Sequence, residues 1–199
     1  MLIGCNTASA AVAGVAQERA AGIPVVGMIE PAVEAVLRDK QVMRVGVVGT
    51  IGTINSHAYQ KAMRRRSPSV EVFGHACPDL LRLAEQADIG DSQRIRALTQ
   101  ACVAPLIAED IAALVLGCTD FTCIAEQLRA VVPPEVRIID PAAEVVATAA
   151  RILQEKAWNR AGNRSGDVVF YASATPPKGV REFAQRVFGI DIARFEGAG

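Results

Sequence analysis

The sequence predicts an α/β fold in which mostly parallel strands form sheets flanked by helices. Short apolar runs alternate with longer helix-like stretches along the whole chain. Small polar residues that can cap a helix directly follow several of the runs. One pattern also occurs twice, because residues 2–7 (Leu-Ile-Gly-Cys-Asn-Thr) and 115–120 (Val-Leu-Gly-Cys-Thr-Asp) share an apolar run, Gly-Cys and two polar residues. Since ligands bind at the carboxyl ends of parallel strands, two thiols are expected at two equivalent strand ends of a pseudo-symmetric fold.

Strands are predicted where a short apolar run is bounded by Gly, Pro or polar residues. The first run, at the chain start, is only the tail of a strand, and the third is rich in valine. In chain order the runs are residues 2–4, 24–28, 42–48, 70–74, 112–117, 136–139, 167–171 and 190–195.

Helices are predicted in the longer stretches between these strands. The first is rich in alanine, the third is amphipathic and follows the Gly-Thr-Ile-Gly-Thr turn of residues 49–53, and the fifth begins on two residues that favour helix caps. In chain order the helices are residues 8–21, 31–39, about 54–66, 78–87, roughly 91–110, about 121–131, 142–157 and 177–188.

The composition is typical of a soluble globular protein. The 199 residues are 51% apolar and 21% charged, with a formal net charge of zero. This balance argues against a nucleic-acid partner, and the three arginines 64–66 are expected on a solvated helix end. No apolar run reaches the length of a membrane span and no leader pattern begins the chain, so no membrane partner is expected. The predicted location is the cytoplasm.

The five cysteines are odd in number and widely spaced, unlike a disulfide framework. With no Cys-x-x-Cys pair and only two histidines, no metal site is predicted. Cys102 and Cys123 are interpreted as small buried apolar residues, and Cys77 as structural because it precedes Pro78 at a helix start. The duplicated context instead marks Cys5 and Cys118 as the candidate catalytic pair.

Two facing thiols suit proton transfer at a carbon atom. One thiolate removes a proton from one face of the carbon while the opposite thiol delivers a proton to the other, so a substrate becomes its mirror image. This chemistry needs no metal or organic cofactor. Asn6, Thr7 and Thr119 are placed to hold a substrate carboxylate at two helix starts. Thr50 and Thr53 supply a third candidate anchor.

Several segments together resemble the successive signatures of the glutamate racemases, within the aspartate/glutamate racemase family. They are residues 5–10 (Cys-Asn-Thr-Ala-Ser-Ala), 23–27 (Ile-Pro-Val-Val-Gly), 45–54 (Val-Gly-Val-Val-Gly-Thr-Ile-Gly-Thr-Ile), 116–119 (Leu-Gly-Cys-Thr), 138–140 (Ile-Ile-Asp) and 170–173 (Phe-Tyr-Ala-Ser). The resemblance implies cofactor-independent interconversion of L- and D-glutamate, which supplies D-glutamate for peptidoglycan.

By the same resemblance, Cys5 handles the proton of the D-enantiomer and Cys118 that of the L-enantiomer. Asn6, Thr7, Thr50 and Thr119 would bind substrate, and Glu85 matches an acidic position near the site. The implied fold has two pseudo-symmetric lobes around the substrate, commonly paired into homodimers. Residues 1–24 with 140–199 would belong to lobe one and residues 25–139 to lobe two.

Two departures from the family pattern stand out. Family members begin with about two further βα units, or roughly 60 residues, so lobe one is expected to be incomplete here. Asp120 also stands where the family has His, and its charge is expected either to raise the pKa of the Cys118 thiol or to accept the thiol proton as an adjacent base.

Other functions stay open from the sequence. An acidic residue after Cys-Thr is more typical of aspartate racemases, although residues 49–54 favour the glutamate branch. A hydantoin racemase or a decarboxylase that uses one cysteine is a further enzyme alternative. An inactive fragment that acts only as a binding module is the alternative from another class.

Overall fold

The computed structural model describes residues 1–85, 92–158, 169–173, 184–185, 189 and 195–197. The chain divides into two compact units, Met1–Trp158 and Asn159–Gly199. In the second unit, the described strands Phe170–Ala172 and Phe195–Gly197 pair in parallel. All the other elements below belong to the first unit.

A four-stranded parallel sheet forms the centre of the first unit. Its strands are β1 (Arg44–Gly49), β2 (Glu71–Ala76), β3 (Ala113–Gly117) and β4 (Arg137–Ile139), in the order β2-β1-β3-β4. The two central strands are almost wholly buried, as expected for strands covered on both faces. The prediction of an α/β fold with a parallel sheet flanked by helices is confirmed.

Helices cover both faces of this sheet. In chain order they are α1 (Asn6–Arg19), α2 (Ile29–Leu37), α3 (Ile51–Asn55), α4 (Ala58–Arg66), α5 (Pro78–Glu85), α6 (Ser92–Ile107), α7 (Ala125–Arg129) and α8 (Pro141–Glu155), with a 3₁₀ turn at Thr119–Ile124. Strand side chains alternate between two cores. Val115 faces a core that includes residues of α2 and α4, whereas Leu114 and Leu116 face one that includes residues of α5 and α6.

The predicted strand at residues 2–4 is reduced to a single parallel bridge between Leu2 and Val26. The Ile3 backbone N–H donates to the Val26 carbonyl at 2.9 Å. Ser9 reinforces the contact, because its hydroxyl donates to the Ile3 carbonyl at 3.2 Å and accepts from the Met28 N–H at 2.9 Å. These bonds place the start of α1 directly after the bridge.

Two predicted helices differ from those observed. The stretch ending at Arg66 is broken between α3 and α4, because His57 has a φ of 53°, which an α-helix does not allow. The stretch 121–131 begins as a 3₁₀ turn and continues as α7. In the last turn of α4, Arg65 and Arg66 form surface ion pairs with acidic residues of α2.

In the second unit, the strand predicted at 167–171 is observed at Phe170–Ala172. The last strand is observed at Phe195–Gly197 rather than at 190–195, of which residues 190–194 lie outside the described part of the chain. Of the helix predicted over 177–188, only residues 184–185 are described, and both are helical.

Cys77 and Cys102 form a disulfide, so the expectation that the cysteines do not pair is wrong for these two, and Cys102 is not a free apolar thiol. The structural role expected of Cys77 agrees with this bond. Cys77 directly precedes α5, and Cys102 lies on α6. Packing of α5 against α6 brings their Cα atoms to 5.6 Å, within the usual range for a disulfide. The 25-residue separation gives no local signal of this pairing.

No helix in the described ranges combines the length and the apolar character that crossing a membrane requires.

Candidate active site

Three polar cap residues follow glycines where apolar segments end. Cys5 caps α1, Thr50 caps α3 after β1, and Cys118 caps the 3₁₀ turn after β3. All three have extended backbone conformations, as helix caps require. Because β1 and β3 are neighbours whose chain connections run in opposite directions, their carboxyl ends form the crevice where parallel α/β sheets bind ligands.

Glycine is required where these two strand ends meet. Gly49 and Gly117 are register partners, and a Cβ atom on Gly117 would lie 2.7 Å from the Val48 carbonyl oxygen. A Cβ atom on Gly49 would lie 2.9 Å from the Gly117 carbonyl oxygen. Real Cβ atoms essentially never come so close to backbone. The Gly-Thr and Gly-Cys pairs therefore combine a tight strand contact with a polar cap.

Three threonine hydroxyls join the start of α1 to the end of β1. Thr7 Oγ1 lies 2.8 Å from Thr50 Oγ1 and 3.1 Å from Thr53 Oγ1. Thr50 also donates to Thr53 Oγ1 at 3.1 Å and accepts from the Thr53 backbone N–H at 3.0 Å, which caps α3. Hydroxyls both donate and accept, so the cluster can rearrange to receive a carboxylate.

Cys5 is exposed at the start of a 14-residue helix. Its Sγ accepts a hydrogen bond from the Ala8 backbone N–H at 3.5 Å. The unpaired N–H groups and the helix dipole both favour negative charge at this position. The surroundings of Cys5 therefore suit an anionic ligand.

Cys118 has the opposite environment, since it is buried and adjoins a carboxylate. Its thiol donates to Asp120 Oδ2 at 3.3 Å. The pKa of the Cys118 thiol is raised to about 12, and burial is the largest cause. The Asp120 charge and the nearby Cys5 contribute to this rise, while a hydrogen bond from the Asp120 backbone opposes it.

Asn6, which follows Cys5, is held from inside the protein. Its side chain is 2% exposed, and its Oδ1 accepts a hydrogen bond from the Tyr59 hydroxyl at 2.6 Å. Asn6 Nδ2 has no hydrogen-bond partner among the described residues, and it is buried. A buried amide donor without a partner is costly, so it marks a position where a ligand can supply the acceptor.

Two residues near the site were not named as site residues from the sequence: Tyr59, and Asp140, which was noted only as the end of the signature segment 138–140. Tyr59 lies in the amphipathic helix α4 and gives no signal beyond that of a core residue. Asp140 follows β4 and caps α8, where its Oδ1 accepts from the Ala142 N–H at 2.9 Å. Its charge reaches the site region, because it is one of the causes that raise the pKa of Tyr59 and of Cys123.

The other two predicted site residues are Thr119 and Glu85. Thr119 begins the 3₁₀ turn beside Cys118 and is half-buried. Glu85 ends α5, and its side chain lies outside the described part of the chain. Within that part, no group of three or more His, Cys, Asp or Glu side chains is arranged to hold a metal ion. The roles of the predicted site residues stay predictions.

Comparison with known proteins gives one consistent family. Residues 1–149 match the family model described as Asp/Glu/Hydantoin racemase. The chain is 35% identical over 153 residues to a protein named glutamate racemase from Chlorobaculum tepidum; the match covers 77% of this chain and 56% of that protein. The chain thus spans little more than half the length of this curated relative.

Solved structures show the same relationship. The chain superimposes on glutamate racemase isoform RacE1 from Bacillus anthracis with a TM-score of 0.90 and 30% identity, covering 100% of this chain and 73% of that one. It superimposes on a glutamate racemase from Francisella tularensis, solved in complex with D-glutamate, with a TM-score of 0.88 and 25% identity. That match covers 100% of this chain and 72% of the other.

Proposed function

The chain belongs to the Asp/Glu/hydantoin racemase family, and from this premise we propose that it interconverts L- and D-glutamate by proton transfer between two cysteines. The observation that carries the proposal is the pair of thiols at two helix starts, close enough for Cys5 to influence the pKa of Cys118. The names of its relatives support glutamate as the substrate.

Substrate binding would use the donors gathered at the start of α1. The helix N-terminus offers backbone N–H groups and a favourable field for a carboxylate. Asn6 Nδ2 adds a donor that lacks a protein acceptor within the described ranges. The hydroxyls of Thr7, Thr50 and Thr53 contact one another near the start of α1, and Thr119 begins the 3₁₀ turn after Cys118.

Each of the two thiols would remove the α-proton of a different enantiomer. Cys5, in its exposed cap position, removes the α-proton of D-glutamate, and Cys118 returns a proton to the other face. In the reverse direction Cys118 removes the α-proton of L-glutamate and Cys5 delivers one. Each half-cycle adds one proton on the side that takes the α-proton and removes one from the opposite side, so no cofactor is consumed.

Asp120 would supply a proton acceptor beside the Cys118 thiol. A thiol with a pKa near 12 is almost wholly protonated at neutral pH, so it is a poor base. Its hydrogen bond to Asp120 Oδ2 provides a path for the thiol proton to reach a carboxylate as Cys118 takes the α-proton. Asp120 therefore acts as a local proton acceptor in the direction that begins from L-glutamate.

The proposal extends to the setting of this chemistry. Residues 1–24 with 140–199 would contribute to one lobe and residues 25–139 to the other, with the substrate between them and a second copy completing a homodimer. The product would serve peptidoglycan synthesis in the cytoplasm. Neither a nucleic acid nor a membrane is a proposed partner.

The test is exchange of the α-proton for solvent deuterium under single-turnover conditions, starting from each enantiomer. Cys5→Ser should mainly block exchange from D-glutamate, and Cys118→Ser should mainly block exchange from L-glutamate. Cys123→Ser is the matched control, because Cys123 is a free thiol outside the proposed pair. Full racemisation by either Cys5→Ser or Cys118→Ser would exclude the two-thiol mechanism.

Aspartate is the second candidate substrate, and Asp120 is the observation that favours it. Exchange assays with aspartate beside glutamate decide between them, since the two differ by one methylene in the side chain. Binding of glutamate without exchange from either enantiomer would instead support the binding-module alternative.

A further inference from the structure

One side chain contacts the neighbours of both thiols. The Tyr59 hydroxyl donates to Asn6 Oδ1 at 2.6 Å, and Asn6 directly follows Cys5. On the other side, a Cβ atom on Gly117 would lie 3.6 Å from Tyr59 Cε2, so the ring packs against the residue that directly precedes Cys118. Tyr59 is 3% exposed and belongs to the core on one face of the sheet, which fixes its ring.

We propose that Tyr59 is a positioning residue that sets the separation between Cys5 and Cys118. The inference rests on the proposed function, which needs the two thiols on opposite faces of one carbon atom. An error of about 1 Å in such an arrangement is enough to slow catalysis severely. Because its ring packs on one thiol-bearing segment and its hydroxyl binds the other, Tyr59 spans the gap between them.

The same hydrogen bond orients the Asn6 amide. Because the phenol donates, the amide oxygen faces Tyr59 and Nδ2 is left as the free donor. The phenol keeps its proton, because burial first and the Asp140 charge second raise the pKa of Tyr59. Without the hydroxyl, the amide oxygen loses this partner and the amide can reverse, presenting an acceptor where a carboxylate ligand needs a donor.

The other described hydrogen bonds that hold the start of α1 do not fix its distance from Cys118. The threonine cluster ties α1 to the end of β1 through Thr7 and Thr50, but it does not reach β3, which carries Cys118. The Tyr59 hydroxyl binds Asn6 at the start of α1, and the Tyr59 ring lies against Gly117 at the end of β3. Tyr59 therefore connects α1 to the strand that carries Cys118. Loss of the hydroxyl should therefore change the distance between the thiols while the sheet stays intact.

The experiment measures that distance without requiring activity. In a Cys123→Ala background, the full chain is treated with a short bifunctional thiol reagent, and the cross-link between Cys5 and Cys118 is quantified by peptide mass spectrometry. Tyr59→Phe should lower the rate of cross-linking by about fivefold, the change expected when one neutral hydrogen bond no longer holds the segment. Tyr171→Phe is the matched control, because it removes a hydroxyl from a tyrosine that is 64% exposed.

Asn6→Ala removes the same hydrogen bond from its other end and should give the same decrease. In the double variant the two effects should not add, because they abolish a single interaction. A cross-linking rate in Tyr59→Phe or Asn6→Ala equal to that of the parent would overturn the proposal. Absence of the cross-link in the parent would overturn it as well.

The ratio of racemisation to α-proton exchange distinguishes a positioning role from a simple loss of stability. Exchange of the α-proton needs one thiol, whereas inversion needs both thiols at the correct separation. Tyr59→Phe should therefore lower the ratio of racemisation to exchange, while a variant that is only less folded lowers both equally. If the parent racemises neither glutamate nor aspartate but Tyr59→Phe still slows cross-linking, the proposed function fails and the positioning role stands.

Discussion

Asp120→Asn tests whether the carboxylate controls the Cys118 thiol. The substitution keeps the size of the side chain but removes one negative charge that lies 3.3 Å from Sγ. Since a negative charge disfavours the thiolate, its removal should lower the pKa of Cys118. Burial is the first cause that raises this pKa and is unaffected, so the pKa stays above the ordinary range for a thiol.

The expected size follows from the geometry. Two unit charges 3.3 Å apart repel by about 5 kcal/mol at an effective dielectric of about 20. This energy corresponds to roughly 3–4 pKa units before solvent screening. Because Asp120 is partly exposed, we take less than half of it and expect the pKa to fall from about 12 to between about 10 and 11.

The assay is the rate of alkylation of Cys118 between about pH 7 and 9, in a chain with Cys5→Ala and Cys123→Ala. In this range the rate follows the thiolate fraction, so a pKa lower by 1–2 units should raise it by about tenfold or somewhat less, since a less basic thiolate is also less nucleophilic. Glu126→Gln is the control, because it removes one exposed carboxylate from the neighbouring helix α7. A change of less than about twofold in Asp120→Asn, with the chain folded, would refute the electrostatic argument.

The same variant tests the catalytic part of the proposal. Asparagine cannot accept the thiol proton, and a thiol with a pKa above about 10 remains protonated at neutral pH. Exchange of the α-proton of L-glutamate should therefore slow in Asp120→Asn even though the thiol is more acidic. Faster exchange would mean that Asp120 acts on Cys118 only as a repelling charge.

Two further predictions concern stability. Replacing both Cys77 and Cys102 by Ser should lower the free energy of unfolding in urea by about 3 kcal/mol, because the disulfide closes a loop of 25 residues; a parent whose stability does not respond to reductant would contradict it. Gly117→Ala should destabilise the chain by about 2 kcal/mol or more, since its Cβ would meet the Val48 carbonyl at 2.7 Å. Gly14→Ala, on α1 with no atom within 4 Å of the added Cβ, should instead stabilise it by about 0.5–1 kcal/mol, and equal effects of the two substitutions would show that the contact at Gly117 is not tight.

The sequence determined the features that depend on a few neighbouring residues. Apolar runs of strand length predict β1 and β3, and a polar residue after each glycine predicts the caps at Thr50 and Cys118. The α/β class follows from the alternation of such runs with helices, and a parallel sheet then requires the strand ends to meet at one edge. The two candidate thiols could therefore be picked out as caps from the duplicated Gly-Cys pattern alone, although the expected strand before Cys5 is only a bridge.

The tertiary structure alone decided which distant side chains touch. The Tyr59–Asn6 hydrogen bond joins residues 53 positions apart, and the Cys77–Cys102 disulfide joins residues 25 apart. Even Asp120, only two residues from Cys118, needed the 3₁₀ turn to aim its carboxylate at the thiol. Periodicity and capping are set within a few residues, whereas these contacts depend on the order of strands and on how each helix packs against the sheet, so no local pattern records them.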